Sequence, residues 1–151
     1  MDLVIDTTTL VDASGQGMDE HAKSSFDLLQ KLNGMEGWRL CLDSKRKIER
    51  EYDLRISDQM FARKWMQRHG ERRFWPPDCR LPKGVRVKLK EIHFDWDDLP
   101  FVETAFASET KYLVTREFNS YTLKVRQTLW RDLKVRVYTA QQILEILSEP
   151  Q

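Results

Sequence analysis

The stretch Leu3–Ala13 reads LVIDTTTLVDA, and its first four residues decide the fold. Leu3, Val4 and Ile5 form a short, unbroken apolar run, which is typical of a strand buried on both faces inside a parallel sheet. Asp6 follows this run directly. Ligands of open α/β sheets bind outside the carboxyl ends of such strands, so Asp6 has the position of a functional carboxylate. Taken alone, Asp6 is explained equally well as a helix N-cap or a turn residue.

The composition is that of one folded domain. The chain has 151 residues, of which 40% are hydrophobic and 11% aromatic, enough for a single core. No apolar run approaches the ~20 residues that span a bilayer, and no basic region followed by an apolar stretch opens the chain. We therefore expect a soluble, cytoplasmic protein that does not bind a membrane. Cys41 and Cys79 lack a CxxC spacing, so neither a disulfide framework nor a thiolate zinc site is indicated.

The net charge of +1 conceals a strong asymmetry along the chain. Residues 1–20 carry five acidic residues and residues 91–103 carry five more, and neither segment has a Lys or Arg. Residues 39–90 hold 16 Lys or Arg against 7 Asp or Glu. An acidic focus beside a basic surface suits a protein that binds metal cations and a polyanion. The alternative explanation of the same composition is a solvated helical surface that is basic but binds no polyanion.

Alternating strand and helix patterns predict a doubly wound, parallel sheet. Further strand patterns lie at residues 38–42, 112–115 and 135–138, and helical patterns lie at 21–32, 43–52, 56–66, 97–106, 120–131 and 140–147. Asp43-Ser44 is a good helix start. The alternation of apolar and charged residues over 85–94 predicts an edge strand or exposed ribbon, and Gly and Pro make residues 70–84 an irregular loop. The apolar face that contains Trp65 predicts either core or a partner surface.

Four carboxylates occupy comparable places in this pattern. Asp6 ends the first strand, Glu51 lies on the helix after the second, Asp98 begins a later helix, and Glu117 follows the 112–115 strand. Because these places converge at one end of a parallel sheet, the carboxylates would repel one another unless a divalent cation compensated them. Glu49 is the competitor of Glu51, but two residues apart on a helix they point in different directions. The implied chemistry is metal-assisted phosphodiester hydrolysis, with one metal activating water and a second stabilising the leaving oxygen.

The same residues resemble the motifs of the PIN domain family, the nuclease fold shared by VapC-type toxins and RNA-processing enzymes. VIDTTTLVDA resembles the first strand of the family, IEREY at 48–52 its second motif, and DLPFVETA at 98–105 its third. YLVTRE at 112–117 resembles the strand that ends in Val-Thr-x-Asp, and residues 135–147 fit the last strand and helix. The match covers nearly the whole chain, although residues 57–94 contain few family markers.

The resemblance implies a PIN-like three-layer α/β/α fold with a central, mostly parallel sheet. Residues 1–148 would form a single PIN-like nuclease domain, followed by a tail at 149–151. The implied activity is a Mg²⁺- or Mn²⁺-dependent endoribonuclease acting on RNA, in which Asp6, Glu51, Asp98 and Glu117 are both catalytic residues and metal ligands. The resemblance also implies that the protein is the toxin of a toxin–antitoxin pair. Its partner would then be an antitoxin or other protein, or a second copy of the chain, and the Trp65 face is a candidate contact surface.

Two positions depart from the family pattern. Thr8 stands where Asn is common, but its hydroxyl can still bond a carboxylate or a metal-bound water, as can that of Thr115. Glu117 stands where Asp is usual, and its extra methylene displaces the carboxylate by roughly an ångström or more. A degenerate PIN module that binds RNA or protein as a scaffold is therefore the alternative. A small-ligand α/β protein is a remote third option, because the chain has no Gly-rich phosphate loop.

Overall fold

A computed structural model describes residues 1–15, 19–116 and 118–150. Its centre is a sheet of five parallel strands, in the order β3-β2-β1-β4-β5. The strands are β1 (Asp2–Ile5), β2 (Arg39–Cys41), β3 (Arg73–Phe74), β4 (Tyr112–Val114) and β5 (Arg136–Tyr138). The helices in the described ranges are α1 (Thr7–Ser14), α2 (Glu20–Asn33), α3 (Lys47–Arg55), α4 (Phe61–Arg68), α5 (Lys83–Glu91), α6 (Leu99–Ala107), α7 (Leu123–Leu133) and α8 (Ala140–Ser148). The predicted α/β class with a parallel sheet is confirmed.

The opening strand is the centre of the sheet. β1 pairs with β2 on one side and with β4 on the other, and Leu3, Val4 and Ile5 are 0% exposed. The strands β2 and β3 extend the sheet in one direction, and β4 and β5 extend it in the other. The carboxyl ends of β1 and β4 therefore flank the topological switch point, where ligand crevices form in open α/β sheets.

The helices pack on the sheet and on one another. α1 contacts α2 and α4, and α2 also contacts α8. α6 packs on β1, β4 and α3, while α7 packs on β5 and α5. This arrangement is consistent with three α/β/α layers. Within the described residues, no helix is long and apolar enough to cross a lipid bilayer.

The prediction of a strand or ribbon at residues 85–94 is wrong, because α5 occupies most of this segment. Val85 and Leu89, four residues apart, are buried, whereas Val87 between them is 49% exposed. A spacing of four places two side chains on one face of a helix. The alternation of apolar and charged residues was therefore coincidental, and the helical stripe determines the structure.

Residues 70–84 are not all irregular, since they contain the edge strand β3. It pairs with β2 over Arg73 and Phe74 only. The guanidinium of Arg39 lies 3.6 Å from the centre of the Phe74 ring, which fixes this edge on β2. Two residues are too few to produce a periodic pattern, so the strand could not be recognised.

Trp65 belongs to the core, so this side chain is not part of a partner surface. The side chain is 2% exposed and stacks on Trp38, with ring centres 5.3 Å apart and planes 13° apart. Its indole N–H donates to the carbonyl oxygen of Leu29 at 3.1 Å. Of the two alternatives for this face, the core is confirmed for Trp65 and Met66.

Candidate functional site

Asp6 lies at the switch point, directly after β1. Its carboxylate is 3% exposed, and Oδ2 accepts hydrogen bonds from the hydroxyls of Thr115 at 2.7 Å and Thr8 at 3.1 Å. Its backbone N–H donates to the carbonyl oxygen of Val114 at 2.8 Å, which ties β1 to the end of β4. Burial raises the pKa of Asp6; the two hydroxyls oppose this effect, and the charge of Glu51 adds to it. Thr8 and Thr115 thus orient the carboxylate, as the sequence predicted for their hydroxyls.

Glu51 is brought to the same place by α3. The hydroxyl of Tyr52 donates to the carbonyl oxygen of Ile5, so α3 is fixed to the end of β1. Glu51 accepts a hydrogen bond from the hydroxyl of Thr7, the first residue of α1. Thr7 thus holds the Glu51 carboxylate close enough to Asp6 for its charge to raise the pKa of Asp6.

Glu49 faces elsewhere on the same helix. Its carboxylate accepts from the indole N–H of Trp75 at 3.0 Å and pairs with Arg46 at 3.3 Å.

The expected start of this helix at Asp43-Ser44 is corrected by the structure. The helix begins at Lys47, and Asp43 caps it by accepting from the backbone N–H groups of Lys47 and Ile48.

Asp98 ends a single turn of 3₁₀ helix (Trp96–Asp98) that leads into α6. Burial, as the largest cause, and the negative charges of Asp6, Asp95, Glu51 and Asp97 together raise the pKa of Asp98 to about 7. Asp98 therefore shares an electrostatic environment with Asp6 and Glu51, which come from distant parts of the sequence. The fourth predicted residue, Glu117, lies outside the described residues.

Thr7 and Tyr121 belong to this environment and were not predicted. Tyr121 is 0% exposed, and its hydroxyl has no hydrogen-bond partner among the described residues. Burial raises the pKa of Tyr121 well above its usual range, and the charges of Asp98, Asp6 and Glu51 add to this effect. Nothing in the local sequence distinguishes this tyrosine from an ordinary core aromatic, because its surroundings come from β1, α3 and the Asp98 turn.

The carboxylates of this site have the chemistry that a hard cation requires, but they do not form a complete coordination site. In the ranges that the structure describes, no group of three or more His, Cys, Asp or Glu side chains is placed to hold a metal ion. Asp6, Glu51 and Asp98 nevertheless offer carboxylate oxygens, the ligands that Mg²⁺ and Mn²⁺ prefer. Burial is the largest cause of the raised pKa of Asp98, and the neighbouring negative charges, which lack full compensation, add to it. A divalent cation would provide that compensation.

This electrostatic strain predicts an unusual effect of pH on stability. The folded protein holds the Asp98 proton up to about pH 7, whereas an ordinary Asp has a pKa of 3.8. The folded state therefore binds more protons than the unfolded chain between these values, and stability falls as the pH rises through them. We expect Asp98→Asn, which mimics the protonated acid, to be more stable than the parent at pH 8 and similar to it at pH 4. Urea unfolding in EDTA at both pH values measures this, and an equal difference at both would contradict it.

No protein-family model matches the chain, and no curated protein matches it.

Proposed function

We propose that the protein is a metal-dependent endoribonuclease of the PIN class, which hydrolyses RNA phosphodiester bonds. The observation that carries the proposal is the shared environment of Asp6, Glu51 and Asp98, in which burial raises the pKa of Asp98 most and the charges of Asp6 and Glu51 add to the effect. Carboxylates that repel one another in this way are suited to a divalent cation rather than to a structural role. The order of the four PIN-like motifs along the chain supports the same conclusion.

Asp6, Glu51 and Asp98 would hold Mg²⁺ or Mn²⁺, and Glu117 would contribute directly or through water. When bound, the cation would supply Lewis-acid activation of water and stabilisation of the leaving oxygen. The chain itself supplies the preorganisation of the ligands. Thr8 and Thr115 hold the Asp6 carboxylate in one orientation, and Thr7 holds that of Glu51. Such supporting hydrogen bonds strengthen metal sites by fixing their ligands before binding.

The basic segment 39–90 supports RNA as the substrate, because Lys and Arg side chains bind the phosphate backbone irrespective of sequence. We propose a cytoplasmic protein, since its RNA substrates would be present there. The VapC-like motifs support a place in a toxin–antitoxin pair, with an antitoxin or a second copy of the chain as partner. The buried Trp65 is not the contact for either partner.

The two glutamates of α3 provide a matched test of the site. We expect Glu51→Gln to lower Mn²⁺-dependent cleavage of a single-stranded RNA by roughly 10²-fold or more, because one ligand charge is lost. Glu49→Gln on the same helix should stay within about threefold of the parent, since Glu49 contacts Trp75 and Arg46 instead. Initial rates on a fluorescent oligonucleotide measure both. Equal losses in the two variants would show that Glu51 has no special role.

A further inference from the structure

We propose that Trp96 is a stacking platform for a base of single-stranded RNA, and that the basic side chains around it hold the neighbouring phosphates. The proposal deepens the proposed ribonuclease function and rests on it for the choice of RNA as the ligand. Trp96 stands two residues before Asp98 in the turn that leads to α6, and it is 38% exposed. A large aromatic side chain at the edge of the acidic site is therefore accessible to a substrate.

Trp96 and Arg86 line two cavities at once. One cavity, of about 450 Å³, extends toward the acidic turn and is also lined by Asp97, Lys45, Lys47 and Arg80. The other, of about 310 Å³, is also lined by Lys83, Val87 and Lys90 of α5. Both volumes fall within the range typical of ligand sites. A strand of RNA could therefore pass Trp96 with basic side chains before and after it.

The Trp96 ring is held in place before any ligand binds. The buried Phe94 meets it nearly edge to face, with ring centres 5.6 Å apart and planes 87° apart. The guanidinium of Arg86 lies 5.9 Å from the ring centre, which places next to the ring a group that can donate hydrogen bonds to a phosphate. A base that stacks on a fixed ring loses less conformational freedom than one that must order a mobile ring.

The positive charges around the cavities are available to a polyanion. Among the described residues, none of the basic side chains that line them forms an ion pair, namely Lys45, Lys47, Arg80, Lys83, Arg86 and Lys90. Most of the acidic side chains in the larger cavity are already hydrogen-bonded within the protein. Asp43 caps α3, Asp78 accepts from the hydroxyl of Ser44, and Glu103 accepts from the backbone N–H of Leu81. Six basic and four acidic side chains line the two cavities together, and no acidic residue lines the smaller one, so the excess of positive charge favours phosphate.

Single strands fit this surface better than duplexes. Bases in an A-form helix are stacked on one another, so their faces are hidden from a protein side chain. An unpaired base can leave the stack and lie on an aromatic ring, which strengthens binding with little regard to sequence. The expected ligand is thus single-stranded RNA with modest sequence preference.

Binding of RNA without cleavage tests the platform. The experiment uses the full chain with Asp6→Asn in EDTA, and the probe is a fluorescein-labelled single-stranded RNA of twelve or so nucleotides followed by anisotropy. We expect Trp96→Ala to raise Kd roughly 10-fold and Trp96→Phe to stay within about threefold, because phenylalanine also stacks. A duplex of the same sequence should bind equally well with and without Trp96.

Trp130→Ala is the matched control. Trp130 is 43% exposed and also lies next to cations, with Lys134 at 4.9 Å and Arg136 at 4.4 Å from its ring, but it belongs to α7. We expect its removal to change Kd less than about twofold. Unchanged binding in Trp96→Ala, or an equal loss in Trp130→Ala, would overturn the proposal.

A crosslinking experiment keeps the proposal testable if Trp96→Ala does not fold. Asp6→Asn protein that retains Trp96 is irradiated with 5-bromouridine-substituted RNA, and the crosslinked peptide is identified by mass spectrometry. A crosslink at Trp96 supports the platform, and crosslinks found only elsewhere overturn it. Cleavage by the parent is assayed separately. If RNA binding depends on Trp96 and Mn²⁺ induces no cleavage, the nuclease proposal fails while the platform stands. If RNA binding does not depend on Trp96 and Mn²⁺ induces cleavage, the platform fails while the nuclease proposal stands.

Discussion

The Asp6→Asn variant should lose Mn²⁺-dependent RNA cleavage by roughly 10³-fold or more while keeping its fold. Asn preserves the size of the side chain and an oxygen that accepts hydrogen bonds from Thr8 and Thr115. It removes the charge at the buried centre of the proposed cation site. Cleavage rates with Mn²⁺ measure the loss, and far-UV circular dichroism with thermal melting confirms the fold.

Asp2→Asn is the matched control for this prediction. Asp2 is also buried and is the first residue of β1, at the end of the strand opposite Asp6, where it pairs with Arg39 at 2.7 Å. We expect this variant to lose stability, because the Arg39 pair is weakened, and to retain cleavage within about threefold below its melting temperature. If Asp6→Asn cleaves as well as the parent, the assignment of the site is wrong.

Trp65→Ala should lower the free energy of unfolding by about 3–5 kcal/mol. The substitution removes the stack on Trp38 and the hydrogen bond to Leu29, and leaves a large cavity between α4, α2 and β2. Denaturation with urea measures the change. Trp130→Ala, at an exposed position, should cost less than about 1 kcal/mol. A similar small cost for Trp65→Ala would mean that Trp65 is not a core residue.

The sequence was most informative where one local pattern agreed with the global fold. The apolar run Leu3–Ile5 indicated a central strand, and burial on both faces of the sheet is the reason for its composition. It was least informative at residues 85–94, where charged side chains on a helix imitated the alternation of a strand. β3 was missed because two residues carry no period. No helix was predicted at α1, which opens with three successive threonines, because threonine has a low helix propensity.

In the candidate site, too, the sequence predicted some residues and missed others. The order of the motifs and the expected convergence at one end of a parallel sheet predicted Asp6, Glu51 and Asp98, and the structure puts them in one electrostatic environment. The hydrogen bond from Thr7 to Glu51 and the buried hydroxyl of Tyr121 depend on contacts between distant segments, so no local pattern predicts them. No local pattern identifies Trp96 either, because the cavities beside it are formed by residues from distant parts of the sequence.

Calorimetric titration of Mn²⁺ into the parent and into Asp6→Asn tests the proposed metal site most directly. We expect the parent to bind Mn²⁺ at low-millimolar concentrations or below, with release of a proton near pH 7 as Asp98 ionises, and Asp6→Asn to bind at least roughly tenfold more weakly. Absence of Mn²⁺ binding by the parent at millimolar concentrations would contradict the proposed nuclease and favour a PIN-like scaffold that binds RNA or protein without cleaving it.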